Sequence, residues 1–381
     1  MEVYLPPFFT YLEESPMNNK EKMSRRRALR LAATGAGVAS AATVAMSANP
    51  ALAGATLPGD QIQDVLQAFT CGTDWQIVSA GDGDRTSDIQ NALNRAQNNG
   101  GGIVYLEAGE FRISNRLLVG QNVTLMGAGA ATVLRATGDS FGWMVQFRTS
   151  SFGAALKDMR LLGANRAGGV GIFTVGTGQF SGNDSYVLVE NVFIHDTQLH
   201  GVQVGTGFGT REVRLHNVVV LRARRHGILF PGVDSIISNC TAASCDLDGI
   251  NVVGSNNRLT GCKAFFNRGS GITVAGNRGQ LSACQAQDNF GDGFKLDGAD
   301  DVVLSACGAD SNQLAGIRIK DCNGVSFSSA SSISRAGSST QGFGVRIQNS
   351  ANCRITGVSR NNAINLNLVS SPTVDVSGLL G

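Results

Sequence analysis

From Cys240 the chain reads CTAASCDLDGINVVGSNNRLTG over residues 240–261, CKAFFNRGSGITVAGNRGQLSA over 262–283 and CQAQDNFGDGFKLDGADDVVLSA over 284–306, and CGADSNQLAGIRIK opens a fourth unit at 307. The same frame reaches upstream. Gly201, Gly227, Gly249, Gly271, Gly293 and Gly316 follow one another at intervals of 26, 22, 22, 22 and 23 residues. Nine positions before each stands Val192, Val218, Cys240, Cys262, Cys284 or Cys307, and alternating apolar pairs such as Ile250/Val252 and Ile272/Val274 come after. Alternation of period two marks short strands with one buried face, and no ten-residue window of this repeat region keeps a 3.6-residue period. Gly and Asn between the strands provide turns with unusual backbone angles. Asn267, Asn289 and Asn312, each four before its glycine, form a column suited to a side-chain amide ladder. A unit of about 22 residues with two or three short strands is one coil of a parallel β-solenoid, an all-β fold with coils stacked at ~4.8 Å.

Upstream, Thr86-Ser87-Asp88 opens a helix with Ile89, Ala92, Leu93 and Ala96 on one face, closed by Asn98-Asn99-Gly100. This short helix is expected to cap the open N-terminal end of the solenoid, whose unpaired edge would otherwise invite aggregation. Strands are expected over Ile103–Leu106 and Phe111–Ile113, and the Gly/Asn/Ser-rich run from Gly163 to Tyr186 reads as a long projecting loop. The runs Asp88-Ile89-Gln90-Asn91-Ala92, Gly100-Gly101-Gly102-Ile103-Val104-Tyr105-Leu106 and Gly109-Glu110-Phe111 resemble the opening of the pectate-lyase-like right-handed β-helix superfamily. That resemblance implies a right-handed parallel β-helix over the mature chain, on a scaffold that hosts lyases, epimerases, hydrolases and binding proteins.

Ser24-Arg25-Arg26-Arg27-Ala28-Leu29-Arg30, the weakly apolar run Leu31 to Ala48 and Ala51-Leu52-Ala53 resemble a twin-arginine export signal and its cleavage site, with Ala28 where an aromatic residue is usual. Residues 1–53 therefore read as an export leader to a secreted or periplasmic destination, with Met17 or Met23 a more natural start than Met1. Residues 54–381 read as one β-helix domain whose cap spans about 54–102. Gly35 and Gly37 interrupt the apolar run, so a stable membrane anchor is not expected. The leader holds six Lys/Arg and four Asp/Glu, leaving 25 of each in residues 54–381. A mature chain with no net charge is not a nucleic-acid binder by electrostatics. The chain has eight cysteines, and the four at the repeat period read as buried small apolar side chains rather than disulfide partners. No C-x-x-C spacing suggests zinc.

All four histidines, His195, His200, His216 and His226, fall in one 32-residue window. The residue before the aligned glycine runs His200, His226, Asp248, Ser270, Asp292, Ala315, so the repeat places His200, His226 and Asp248 in one column. An imidazole whose tautomer is fixed and whose pKa is raised by a carboxylate suits acid or base work, which makes these three the catalytic candidates. Arg225, Asp246, Asn251, Arg268, Asp292 and Lys295 surround the column as candidate substrate-binding residues. A solvated polar face is the alternative reading of all nine.

Three functions fit. The first is a lyase or epimerase acting on an acidic glycan, with His200 or His226 as base, Arg225 and Arg268 on the uronate carboxylate, and calcium assisting through Asp246 or Asp248. A glycosidase using two of Asp246, Asp248 and Asp292 is the variant within carbohydrate chemistry. The second is an isomerase or cyclase acting on a smaller hydrophobic substrate: no Trp or Tyr follows Tyr186, whereas Phe173, Phe180, Phe193, Phe208, Phe230, Phe265 and Phe266 are plentiful. Most of these rings are expected inside the coils. The third is a non-catalytic binding protein. A metal held by His200, His226 and Asp248 is disfavoured, because side chains on stacked strands diverge little. Mannuronan C5-epimerases of the superfamily carry Tyr-Gly-Phe-Asp-Pro-His where this chain has His200-Gly201-Val202-Gln203-Val204-Gly205, so that machinery is not carried over. Polygalacturonase motifs appear only out of order, as Arg225-His226-Gly227, Asp246-Leu247-Asp248-Gly249 and Arg318-Ile319-Lys320.

Overall fold

The computed structural model describes residues 75–149, 151–173, 185–206, 209–335 and 341–377. The leader, Cys71, Phe180 and Phe208 lie outside them. From Thr73 onward the chain is one compact unit. It is a parallel β-solenoid whose strands make two sheets, one of eleven strands and one of twenty. Each coil contributes one strand to the first sheet and, through most of the molecule, two to the second. Ile236–Ser238, Thr241–Ala243 and Ile250–Val252 are one such coil, stacked on Arg258–Thr260, Lys263–Phe265 and Ile272–Val274 of the next.

Stacking is in register. Ile228, Ile250, Ile272, Phe294, Ile317 and Val345 lie over one another, each wholly buried. Each such side chain contributes roughly 1.5–3 kcal/mol by leaving water. The corners explain the recurring Asn and Gly. Between the paired strands of the twenty-stranded sheet, Asn217, Asn239, Gly261, Ala283 and Ala306 all take left-handed backbone angles, with φ from 50° to 62°. Asn and Gly tolerate this region, whereas Ala283 and Ala306 sit there at a cost of about 1–2 kcal/mol each.

The amide column forms inside one corner. Asn267, Asn289 and Asn312 are fully buried. Asn289 Oδ1 accepts from both the backbone N–H (3.1 Å) and Nδ2 (2.9 Å) of Asn267, while Asn289 Nδ2 donates to the Ala264 carbonyl (3.2 Å) and Asn312 Oδ1 (2.9 Å). Cys245 N–H begins the ladder and Gln341 Oε1 ends it. Seven cysteines are buried free thiols, in agreement with the reading of them as small apolar side chains. Burial pushes Cys245 up to about 11, and the stacked Cys240 thiol, followed by burial, pushes Cys262 up to about 12.

The helix Thr86–Asn98 buries Ile89, Ala92, Leu93 and Ala96 as expected, packed into the same core as the coils. A strand the sequence did not announce, Trp75–Val78, pairs with Gly102–Leu106. The Gly163–Tyr186 region is not wholly a loop: Gly168–Ile172 is a buried strand of the eleven-stranded sheet. Its glycines are steric, not conformational. A Cβ on Gly168 would lie 2.6 Å from the Trp143 ring, and one on Gly171 would lie 2.6 Å from the Phe173 ring. Four of the seven Phe side chains named above also depart from expectation. Phe230 is fully buried, but Phe173, Phe193 and Phe265 are half-buried and Phe266 is exposed.

Replacing Asn289 by Ala strips two buried Asn267 donors and the Ala264 carbonyl of their partners. Urea denaturation should show a loss of about 3 kcal/mol; a loss below about 0.5 kcal/mol would remove the ladder from the stability of the fold.

Candidate functional site

The outer face of the eleven-stranded sheet carries the histidine column. Each column side chain accepts a hydrogen bond from the backbone N–H of its equivalent one coil on. His226 N–H donates to His200 Nδ1 (3.2 Å), Asp248 N–H to His226 Nδ1 (3.2 Å), Ser270 N–H to Asp248 Oδ1 (2.7 Å), Asp292 N–H to Ser270 Oγ (3.3 Å) and Ala315 N–H to Asp292 Oδ1 (3.0 Å). The column is thus an acceptor ladder for corner N–H groups that the strands do not pair. The two imidazoles stack face to face, 5.4 Å apart and 5° from parallel.

This geometry fixes the imidazole chemistry. Nδ1 accepts in both rings, so each neutral ring carries its proton on Nε2 and offers a donor outward. Burial, then the charges of His226 and Arg225, lower His200 to about 4. Burial also lowers His226, outweighing the raising effect of Asp248, whose Oδ2 lies 3.8 Å from His226 Nδ1. The rise anticipated from a carboxylate neighbour is therefore reversed, because desolvation of the ring exceeds the attraction of one carboxylate. Asp248 Oδ2 accepts from Thr273 Oγ1 (3.0 Å) and Asn251 Nδ2 (3.3 Å). With Oδ1 on Ser270 N–H, three of its roughly four acceptor sites are used.

The remaining candidates divide. Asn251, the outward residue of the strand Ile250–Val252, donates to Asp248 Oδ2, and its carboxamide also lies 3.5 Å from His226 Nε2. Arg225 is exposed on the adjoining turn, and among the described residues it makes no ion pair, while its charge bears on both imidazoles. Arg268 and Asp246 pair with each other at 3.4 Å on the exposed turn, so Arg268 is not a free cation. Asp292, 3% exposed, lies two coils beyond Asp248, ~10 Å along the axis. Burial raises it, against the pull of Arg318 (3.6 Å) and the Ala315 N–H. Lys295 pairs with Asp297 at 3.3 Å. Among the described residues no group of three or more His, Cys, Asp or Glu side chains converges as metal ligands, and no helix is long and apolar enough to cross a membrane.

Sequence reasoning missed Trp143. It sits two coils before His200 in the same column, and Gly168 between them leaves space for the indole to reach across. Its ring lies 6.5 Å from His200 and 14° from parallel, and Phe173 packs against it at 5.6 Å. Thr273 and Ser270 were also missed as partners of Asp248. His195 and His216 lie elsewhere, on the twenty-stranded sheet. His195 Nδ1 meets Asp196 at 2.9 Å, and His216 Nδ1 meets Ser238 Oγ at 2.9 Å.

A family model described as the right handed beta helix region matches residues 200–357. No curated protein matches the chain. Among solved structures it is similar to the A-module of the Azotobacter vinelandii mannuronan C-5 epimerase AlgE4, at 20% identity over 80% of this chain and 95% of that one, with a TM-score of 0.60. The AlgE6 A-module gives 18% identity, 79% and 96% coverage and a TM-score of 0.63. Tailspike protein 2 of bacteriophage CBA120, in its enzymatically active domain, gives 13%, 77% and 52%, and 0.63. The fold is a right-handed parallel β-helix.

The lowered His200 has a stability signature. Between pH 6.5 and about 4 the unfolded chain takes up a proton that the folded imidazole refuses. Stability is therefore full above pH 6.5, falls as the pH drops toward about 4 and levels below it, by about 3 kcal/mol in all. His200→Asn keeps an acceptor for His226 N–H but cannot titrate, so denaturation across this window should show a correspondingly shallower slope. An unchanged slope would mean that His200 is not held neutral.

Proposed function

We propose that the protein is an exported carbohydrate-active enzyme that takes an acidic polysaccharide along the outer face of the eleven-stranded sheet and removes the proton α to a uronate carboxylate. The observation that carries this reading is the Trp143–His200–His226 stack ending on Asp248, an aromatic surface, two outward N–H donors and a carboxylate in one line. The geometry changes the roles first assigned. Arg225 neutralises the substrate carboxylate, and the Nε2–H groups of His226 and His200 donate to the oxygen on which charge builds. Asp248, with one acceptor site left, takes the proton. The carbanion so formed either regains a proton on its other face, which is epimerisation, or expels the glycosidic oxygen, which leaves an unsaturated sugar. Neutral imidazoles suit the donor role, since they stabilise charge without first surrendering a proton. Export follows from the leader of residues 1–53. The AlgE4 and AlgE6 likeness, which concerns fold, is compatible with a polyuronate substrate and does not specify the reaction. Trp143 also removes the argument for a small hydrophobic substrate from a shortage of indole rings near the site.

A second reading, hydrolysis, is favoured by one observation. Asp292 is held toward its protonated form two coils from Asp248, the relation of an acid to a base that activates water across a glycosidic bond.

Incubation with a panel of polyuronates decides between them. Proton abstraction gives ultraviolet-absorbing unsaturated ends or solvent deuterium at the α carbon, whereas hydrolysis gives new reducing ends without either. Asp248→Asn should lower turnover by about 100-fold or more. His226→Asn, which keeps an acceptor for Asp248 N–H, should fold normally and lose about tenfold or more, whereas His226→Ala should also lose about 1–3 kcal/mol of stability. Undiminished turnover in Asp248→Asn would sink the assignment.

A further inference from the structure

A cavity of about 440 Å³ opens at the N-terminal end of the same face, lined by Gln97, Arg116, Leu118, Gln146, Arg148 and Thr149. Leu118 and Gln146 are outward residues of the first two strands of the eleven-stranded sheet, in the column that later carries Gln203 and Asn251. Arg148 is half-buried and held by neutral partners only: Nη1 donates to Gln97 Oε1 (2.8 Å) and Nη2 to Asn94 Oδ1 (2.9 Å). Arg116 Nη1 donates to Gln146 Oε1 (3.2 Å). Among the described residues neither guanidinium pairs with a carboxylate, unlike Arg222, Arg268, Arg318 and Arg335. Gly120 keeps the arrangement open, since a Cβ there would overlap the Gln97 carboxamide that orients Arg148.

Two forks of N–H donors converge on a cavity of ligand size, and no carboxylate among the described residues neutralises them. Each retains donors beyond those used by Gln97, Asn94 and Gln146. A planar or tetrahedral oxyanion is the group such forks bind in a bidentate manner. We propose that this pocket is an oxyanion subsite, binding the carboxylate or sulfate substituent of a sugar residue that lies beyond Trp143 from the histidine column. Gln146 and His200 are two coils and three strand positions apart, ~14 Å. The pocket therefore grips a different residue of the same glycan from the one at His226, and an oligosaccharide with an acidic group at that remove binds better than a single sugar. The assignment of a sugar rests on the acidic-glycan reading; the assignment of an oxyanion does not.

The test reads binding, not turnover. Intact protein is titrated with sodium galacturonate, glucose 6-sulfate and uncharged galactose at constant ionic strength, by calorimetry. At least one charged sugar should bind while galactose does not, and Arg116→Gln and Arg148→Lys should each weaken that binding by about tenfold or more. The arm that binds names the substituent. Arg116 is exposed and its side chain makes one hydrogen bond among the described residues, so Arg116→Gln reports on the pocket even if the Arg148 variant unfolds. No binding of either charged sugar, or binding unchanged in Arg116→Gln, overturns the proposal. A protein that turned over no polyuronate but bound in this way would leave the subsite standing and remove only the catalytic reading.

Discussion

No coil of this protein can satisfy its own backbone. Within the stack, strand N–H and C=O groups pair with the coils above and below rather than with their own coil, so each coil is stable only where its neighbours hold the same register. That constraint decides where variation is allowed. The interval from Gly201 to Gly227 is four residues longer than the next, and the excess lies between Val202–Val204 and Arg214–His216. Both flanking strands keep their partners. An insertion inside a strand would turn its inward side chains to solvent, whereas one at a corner costs only loop entropy.

The same constraint makes much of the fold legible in sequence. A period of 22 residues is a statement about register, so the Cys, Ala, Asn and His–Asp columns could be placed side by side without coordinates. It fails where the period fails. Gly316 lies over Gly344, an interval of 28, and Trp143 lies two coils before His200 across a 57-residue gap. Glycines at 168, 169 and 171 look like a loop because sequence does not tell a glycine that turns from one that makes room for an indole. Protonation was also beyond reach. Whether an imidazole beside a carboxylate is raised or lowered depends on burial and on which ring nitrogen the backbone occupies, and neither is written in the order of residues.

The column therefore serves two purposes that need different atoms. The inner atoms, Nδ1 of each His and Oδ1 of each Asp, are committed to corner N–H groups, and Ser270 meets the same need with a hydroxyl. Structure alone is satisfied by Ser or Asp. What the histidines add is a second polar atom on the far side of a flat, stacking ring, directed away from the coil. The geometric demand on the inner nitrogen is what makes the outer one a donor, so the chemistry of the face is inherited from the backbone's accounting.

Charge along this face runs in one order. Arg116 and Arg148 stand at its N-terminal end without acidic partners among the described residues. Lys295, Arg318 and Arg346 stack on three successive coils at the other end. Adjacent like charges ~4.8 Å apart repel, and among the described residues the ion pairs that offset them are Lys295–Asp297 and Arg318–Asp292, with none at Arg346. A protein surface arranged for stability alone would alternate signs here, as Arg335 does with Asp288 and Asp310 on the neighbouring side. Cations stand at both ends instead, with an aromatic ring and hydrogen-bond donors between, and this is the order that the proposed acidic-glycan reading requires of the face. On that reading a single small anion would need one end only, whereas a polymer parallel to the solenoid axis would use both.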